Sequence, residues 1–304
     1  MFRIILLPFF CILFTSLFVN AQTEYQIFEN ESIIHFQTFG KGFPVLIING
    51  GPGMSSEGFI PLAQKLSSNN RTIIYDQRGT GKSTLNKVDS ETVTLDLMVK
   101  DIEAIRKHLN IDTWVVLGHS FGGIMASYYT SKHPDKVNGL ILSSSGGLDM
   151  ELFDVINIRS RLTSVQQDSL SYWENRIQRG DTSYTALLNR GKYLAPAYLN
   201  DKTFIPIIAE RLTQGNATIN SLVYQSMRRI NYDTKTDLSD FKKPVLILQG
   251  AHDIIPLSIF EKAHSIFQNS EFIIFPNSGH YGWLEDSELY FETIYNFLGL
   301  VSPS

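Results

Sequence analysis

Short hydrophobic runs recur along the chain, and each ends at glycine, proline, asparagine, aspartate or serine. Runs of this length that are rich in β-branched residues are typical of strands buried on both faces, as in a parallel sheet. The pattern therefore predicts parallel strands at residues 45–48, 71–75, 114–117, 137–142, 245–248 and 272–275.

Between several of these runs, hydrophobic residues repeat with the 3.6-residue period of an amphipathic helix. The repeat predicts helices at residues 95–109, 122–133 and 289–298, and Pro134 ends the second of them. Strands that alternate with helices in this way indicate a mostly parallel, doubly wound α/β sheet.

The pattern changes between residues 149 and 240. The strand-like runs stop there, and helix-like stretches appear at residues 164–178 and 204–212. We therefore predict one α/β core, formed by residues 22–148 and 241–304, which is interrupted by a mostly helical cap at residues 149–240.

The first 21 residues have the composition of an export signal. They carry one charge, Arg3, and an apolar run over residues 4–19, before small residues that end at Ala21. A membrane-spanning helix needs about 20 apolar residues, whereas a secretory signal needs fewer. We predict a cleavable signal peptide at residues 1–21, cut after Ala21. The mature protein is then periplasmic or secreted, with no stable membrane insertion; an uncleaved N-terminal anchor is the alternative.

Composition narrows the classes of function. The 304 residues are 43% hydrophobic and 18% charged, which is typical of a globular protein. The 26 Lys and Arg residues are outnumbered by 30 Asp and Glu residues and form no basic run, so no nucleic-acid partner is predicted. Cys11, the single cysteine, lies in the predicted signal. The seven histidines form no helical metal-binding pair, so neither a metal nor another cofactor is predicted.

The strongest chemical motif is Gly-His-Ser-Phe-Gly at residues 118–122, between a predicted strand and a predicted helix. In that context Gly-x-Ser-x-Gly is a nucleophile elbow, a sharp turn that lifts the serine hydroxyl above the edge of the sheet. We therefore predict that Ser120 is a catalytic nucleophile. Its neighbour His119 is predicted to turn away from the site and to pack in the core.

Two partners for the serine follow in the chain. Asp253 comes just after the predicted strand at residues 245–248, and His280 just after the one at residues 272–275. A serine hydroxyl needs an adjacent base, and an acid that orients the base, to act as a nucleophile. We predict His280 as the base and Asp253 as the acid, with Asp149 as an alternative acid.

The oxyanion of an acyl-transfer reaction needs two backbone N–H donors. One is expected from Phe121, the residue after the nucleophile. The other is expected from the glycine turn after the strand at residues 45–48, and Gly51 is the predicted donor.

With these residues in this order, the chain resembles the α/β-hydrolase superfamily over about residues 25–300. Residues 49–53 (NGGPG) are similar to the HGGPG motif of the proline iminopeptidase family, and residues 76–83 (DQRGTGKS) to its DQRGxGxS segment. The resemblance implies an α/β-hydrolase fold and a Ser-Asp-His triad at the three residues named above. It also implies the removal of N-terminal residues, often proline, from short peptides.

The chain departs from that family at two motifs, and its cap also looks shorter than in typical members. Asn49 stands where the family has histidine, and the elbow reads Gly-His-Ser-Phe-Gly instead of the usual Gly-Gly-Ser-Trp-Gly. Many esterases and carbon–carbon bond hydrolases share the Gly-His-Ser form, so an esterase or other small-acyl hydrolase with the same triad is the alternative. A binding protein on a hydrolase fold is a third interpretation, disfavoured because such proteins often lose a catalytic residue.

An aminopeptidase must hold a free α-ammonium group, and a buried cation needs a carboxylate partner. The family uses glutamates of the cap. Trp173 and Glu174 resemble a Trp-Glu segment of the family, and Glu210 is a second candidate anchor. For each glutamate, a solvated helix face is the alternative. Trp173 and further cap aromatics are candidates for an apolar pocket, with packing between helices as an equal alternative: Tyr184, Tyr193, Tyr198 and Tyr224.

Overall fold

The computed structural model describes residues 22–29 and 31–302. The predicted signal peptide and its cleavage site lie outside the described residues, so export stays a prediction. In the part of the chain that is described, no helix has both the length and the apolar character needed to cross a bilayer.

One sheet forms the centre of the molecule. Nine strands are found in the described residues, in the order β1-β2-β4-β3-β6-β7-β8-β9, with β5 paired to β2. The strands are β1 (Thr23–Glu29), β2 (Ser32–Phe39), β3 (Phe43–Ile48), β4 (Asn70–Tyr75), β5 (Thr84–Leu85), β6 (Trp114–His119), β7 (Val137–Ser143), β8 (Val245–Gly250) and β9 (Ser270–Phe275). The six predicted strands are all present and run parallel. The antiparallel strands β1, β2 and β5 are additional, because their sequences lack the long apolar runs of the centre.

Helices surround the sheet. They are α1 (Ile60–Leu66), α2 (Leu95–His108), α3 (Phe121–Lys132), α4 (Leu152–Val155), α5 (Ser164–Gln178), α6 (Tyr184–Leu194), α7 (Ile205–Leu212), α8 (Ala217–Arg229), α9 (Lys235–Ser239), α10 (Leu257–Ile266), α11 (Gly282–Glu285) and α12 (Ser287–Val301). The predicted helices correspond to α2, α3, α5, α7 and α12, with ends that differ by a few residues.

The sheet separates two hydrophobic cores. Side chains alternate along β3, so that Leu46 and Ile48 enter the core formed with α2 and α3. Val45 and Ile47 enter the opposite core, which is formed with α1 and α12. Burial on both faces is the physical reason why the central strands are continuously hydrophobic.

The last strand corrects one expectation. Residues 272–275 were predicted to be buried on both faces, but β9 lies at the edge of the sheet and Ile274 is 44% exposed. An apolar run therefore predicted the strand and its parallel direction, but not its position in the sheet.

Helices α4 to α9 lie between β7 and β8, and we call residues 149–240 the cap. The cap has a small core of its own around Leu162 and Leu170. Its helix α8 also places Val223 and Met227 in the core under α2 and α3, and α7 places Ile208 in the opposite core. The cap is thus packed on the sheet domain through both cores; its division from the core into separate domains stays a prediction.

Candidate active site

The elbow holds Ser120 in a conformation that few residues adopt. Ser120 lies between the end of β6 and the start of α3, with φ 55° and ψ −121°. A positive φ at a residue other than glycine is strained and is frequent at functional sites. The neighbouring glycines leave room for the turn, because a Cβ at Gly118 would overlap the Gly122 carbonyl oxygen and one at Gly122 would overlap that of Ile48.

Asp253 and His280 meet beyond the ends of β8 and β9. The His280 Nδ1 lies 2.8 Å from Asp253 Oδ1, and the two side chains are 2% and 0% exposed. The Ile255 N–H donates to the same carboxylate oxygen over 3.0 Å. Because Nδ1 faces the carboxylate, the other ring nitrogen, Nε2, remains available to take a proton.

The alternative acid, Asp149, lies in different surroundings. Its carboxylate is bound by the ammonium groups of Lys235 and Lys262, the latter at 2.7 Å. These cations lower the pKa of Asp149 to about 2, against the opposing effect of burial. The geometry therefore favours Asp253, and not Asp149, as the partner of His280.

Ser120 and His280 both line a cavity of about 560 Å³ beneath the cap. In this structure, the Ser120 hydroxyl makes no hydrogen bond to His280 or to another described residue. Catalytic hydrogen bonds commonly shorten only when substrate is bound. The structure thus pairs two members of the predicted triad and places the third on the same cavity wall; their catalytic roles stay predictions.

The predicted oxyanion donors are on that wall too. Gly51 (φ 72°) and Phe121 line the cavity, and neither N–H donates to an acceptor within the described part of the chain. Asn49, which replaces the family's histidine, supports the glycine turn through its Nδ2, 3.1 Å from both the Gly50 and the Met54 carbonyl oxygens. The side-chain amide of Asn49 therefore stabilises the glycine turn by donating to two carbonyl oxygens of that turn.

His119 does more than the sequence predicted. It is buried, as expected, and its ring centroid lies 4.7 Å from that of His280 and 4.6 Å from that of Trp283. Burial lowers its pKa, and the charges of His280 and Arg211 lower it further. It also reaches the cavity wall, so the expectation that it turns away was wrong.

The described residues contain no group of three or more metal-ligating side chains placed to hold an ion.

The cap residues predicted to bind the amine have separate positions. Glu174 lines the cavity, but its carboxylate forms an ion pair with Arg159. Glu210 and Trp173 are outside the set of cavity-lining residues. Glu210 is exposed and accepts a hydrogen bond from the Tyr184 hydroxyl. Of the cap aromatics, Tyr198 and Tyr224 are on the wall.

Two arginines of the cap, which were not predicted from the sequence, donate hydrogen bonds to the backbone of the core loops. Arg161 donates from Nη1 to the Asp253 carbonyl (3.0 Å) and from Nη2 to that of His252 (2.5 Å). Arg211 is buried and donates from Nη2 to the Gly50 carbonyl (2.8 Å). The sequence could have indicated that Arg211 is buried, because it lies on the apolar face of α7 with Ile208 and Leu212.

The cap also holds the loop of the histidine. The His280 N–H donates to the Tyr198 carbonyl over 2.7 Å. The Glu285 carboxylate accepts the N–H of Gly279 (2.8 Å) and that of Asn200 in the cap (2.6 Å). Burial raises the pKa of Glu285, and these backbone donors oppose that rise.

Comparison with known proteins agrees with this architecture. Residues 44–287 match the family described as alpha/beta hydrolase fold. A proline iminopeptidase of Heyndrickxia coagulans is 29% identical over 282 residues, which are 88% of this chain and 96% of the relative. One of Saccharolobus solfataricus is 25% identical over 296 residues, 93% of this chain and 94% of the relative.

A solved structure of similar fold is that of a thermophilic esterase from Thermogutta terrifontis. It has a TM-score of 0.71 and 21% identity, and it covers 92% of this chain and 100% of its own. At that identity the likeness shows the fold alone, and the fold confirms the prediction of a mostly parallel sheet with inserted helices. This chain belongs to the α/β-hydrolase fold family, and within it resembles the proline iminopeptidases.

Proposed function

We propose that the protein is a serine hydrolase that releases N-terminal residues from short peptides through an acyl-enzyme. The observation that carries the proposal is the buried His280–Asp253 hydrogen bond beside Ser120 on a strained elbow. The similarity to proline iminopeptidases supports the peptide substrate.

The proposed reaction has two halves. The Ser120 oxygen attacks the scissile carbonyl while His280 Nε2 takes the hydroxyl proton. The N–H groups of Gly51 and Phe121 stabilise the oxyanion, and His280 returns the proton to the departing amine. Water then attacks the acyl-enzyme with His280 as base, which releases the N-terminal residue and restores Ser120.

The nucleophile is tested with Ser120→Ala, measured on prolyl and alanyl amide substrates. We expect kcat to fall by about 10⁶-fold, since loss of a catalytic serine has effects of that order. Ser131→Ala, on the outer part of the same helix, is the matched control and should keep full activity. Undiminished hydrolysis by folded Ser120→Ala would reject the triad.

The amine anchor is tested with Glu174→Gln. Glu174 has the better position of the two candidates, because it lines the cavity and Glu210 does not. We expect Glu174→Gln to raise KM about tenfold for free-amine substrates and to leave N-acetylated substrates unchanged, through loss of one charge pair. If Glu210→Gln shows that selectivity instead, the anchor lies outside the cavity described above.

A second candidate function is hydrolysis of small esters or other acyl compounds that carry no amine. The observation in its favour is that the Glu174 carboxylate is already paired with Arg159. Arg190, also on the cavity wall, forms no ion pair with a carboxylate of the described residues. Activity on p-nitrophenyl acetate and N-acetyl-prolyl amide, without activity on prolyl or alanyl amides, would select this candidate.

We also propose that the protein is exported, from the composition of residues 1–21. Cells that produce the full-length chain should release or hold outside the cytoplasm a product that begins at Gln22. Fractionation and N-terminal sequencing test this. An intact Met1 in the membrane fraction would support the uncleaved anchor.

A further inference from the structure

Arg211 is a buried cation at the turn that carries a predicted oxyanion donor. The residue is 5% exposed, and its Nη2 donates to the Gly50 carbonyl oxygen over 2.8 Å. Its guanidinium carbon lies 4.7 Å from the centre of the Phe59 ring. Its Nη1 makes no hydrogen bond of good geometry. The Tyr281 side chain interacts with the guanidinium, but no carboxylate of the described residues forms an ion pair with it.

The Gly50 carbonyl receives two donors, Arg211 Nη2 and Asn49 Nδ2. The carbonyl of Gly50 and the N–H of Gly51 belong to one peptide group, and that peptide is trans. The two groups of a trans peptide point in opposite directions. Donors that hold the carbonyl therefore also fix the direction of the Gly51 N–H, and a cation on the oxygen makes that N–H a stronger donor.

The charge of Arg211 is not balanced in the resting site. Burying a cation without a carboxylate partner is costly, and burial lowers the pKa of this guanidinium, an effect that Tyr281 and Tyr198 only partly oppose. An oxyanion bound by the Gly51 N–H would lie on the other side of this peptide, so it would interact with the charge of Arg211 through the polarised Gly50–Gly51 peptide. An interaction that strengthens only as the reaction proceeds lowers the barrier, because it stabilises the transition state more than the bound substrate.

Gly58 leaves room for the Arg211 guanidinium. A Cβ at Gly58 would lie 2.7 Å from Nη1, so a larger residue at that position would displace the guanidinium. The arginine is contributed by α7 of the cap, whereas the turn it holds follows β3 of the core. Docking of the cap therefore completes the geometry of the core turn.

We propose that Arg211 is a positioning residue that fixes and polarises the Gly50–Gly51 peptide, so that the cap completes the oxyanion hole of the core. This inference rests on the proposed serine-hydrolase function.

The test compares Arg211→Gln and Arg211→Lys with Arg229→Gln. Arg229 is a matched control, because it is a cap arginine that donates to a core carbonyl, that of Ser90 (2.6 Å), away from the cavity. We expect Arg211→Gln to lower kcat by about 100-fold with KM changed less than about threefold, near the lower end of the effect of losing an oxyanion donor. Arg211→Lys should recover part of kcat, since it keeps the charge, and Arg229→Gln should keep all of it.

A second measurement does not need a known substrate. The rate of labelling by a fluorophosphonate, which forms a tetrahedral adduct on the serine, should fall in parallel with kcat. Circular dichroism at each assay temperature shows which variants are folded; if Arg211→Gln is unfolded, Arg211→Lys carries the test, with an expected tenfold loss of labelling rate.

The outcomes separate the two proposals. Normal labelling and normal kcat in folded Arg211 variants would overturn the role of Arg211 and leave the proposed function standing, provided that Ser120→Ala is inert. A rise in KM with kcat unchanged would also overturn it, because it would mark a substrate contact. No labelling of the wild-type protein would overturn both proposals. The double variant Asn49→Ala/Arg211→Gln gives a further test. If its loss of kcat is smaller than the two single losses combined, the result would support the action of both side chains on one carbonyl.

Discussion

The core half of the candidate site and its cap half are held by different kinds of contact. In the core, Ser120, Asp253 and His280 each follow a parallel strand, so strand register alone brings them to one edge of the sheet. In the cap, Arg161 and Arg211 reach across to carbonyl oxygens of the core loops. The sheet therefore determines which groups meet, whereas hydrogen bonds from the cap hold the loops that carry them.

The motif at residues 76–83 also stabilises the core half of the site through hydrogen bonds. Asp76 accepts the N–H of Ser56 (2.8 Å) and that of Lys82 (2.9 Å). Gln77 donates to the Asn49 carbonyl over 2.9 Å. This motif therefore supports the glycine turn structurally, through a different carbonyl from the one that Arg211 holds.

The largest effect is expected from Asp253→Asn, in the core. An amide cannot hold the His280 tautomer that leaves Nε2 free, so we expect kcat to fall by about 10⁴-fold with little change in fold. Steady-state kinetics at neutral pH measure the loss. Asp149→Asn should keep its kcat, and a 10⁴-fold loss there would restore Asp149 as the acid.

The second-largest effect is expected from Asp101→Asn, in the interior of the core. Arg78 donates to both oxygens of Asp101, over 2.7 and 2.6 Å, and both side chains are fully buried. Removing the carboxylate leaves a buried guanidinium unpaired, so the free energy of unfolding should fall by about 3–5 kcal/mol. Urea denaturation measures it, with exposed Asp135→Asn as the control. A change below about 1 kcal/mol in the free energy of unfolding would show that the Arg78–Asp101 pair contributes little to stability.

The place of Asp253 was largely predictable, whereas the buried pair of Arg78 and Asp101 was not predicted. Buried runs predicted the parallel strands, and the residues just after those strands therefore share one edge. The cap resisted prediction for a physical reason. A helical pattern shows which face is apolar, but it does not show which loop a long side chain reaches. Hence Glu210 was predicted in the site and lies outside the cavity, whereas Arg161 and Arg211 were missed.

The third prediction concerns the cap. Arg161→Gln removes the donors to the His252 and Asp253 carbonyls, which hold the loop of the acid. Arg161 is exposed, so the loss should be modest: about fivefold in kcat, or about 1 kcal/mol, with KM unchanged. Arg179→Gln, another exposed cap arginine, should behave as wild type. A loss as large as that of Asp253→Asn would mean that the cap is as important for the chemistry as the core.

The smallest expected effect is at the junction of the two halves. Asp149, the first residue of the cap, pairs with Lys235 in the cap and with Lys262 of α10 in the core. The two cations lower its pKa to about 2 in the folded state, below its usual value near 4. Its contribution to stability is therefore present above about pH 4 and is lost as the pH falls toward 2.

Asp149→Asn should lower the free energy of unfolding by somewhat under about 1 kcal/mol at pH 7, as for a partly exposed ion pair. The difference from wild type should shrink as the pH falls from 4 to 3, because Asp149 of the unfolded wild-type chain then takes up a proton while the folded carboxylate stays mostly ionised. Asp240→Asn, at an exposed cap site whose partner Lys242 is 3.9 Å away, should show no such dependence. A difference that persists unchanged at pH 3 would show that Asp149 joins cap and core by its shape and backbone contacts, and not by its charge.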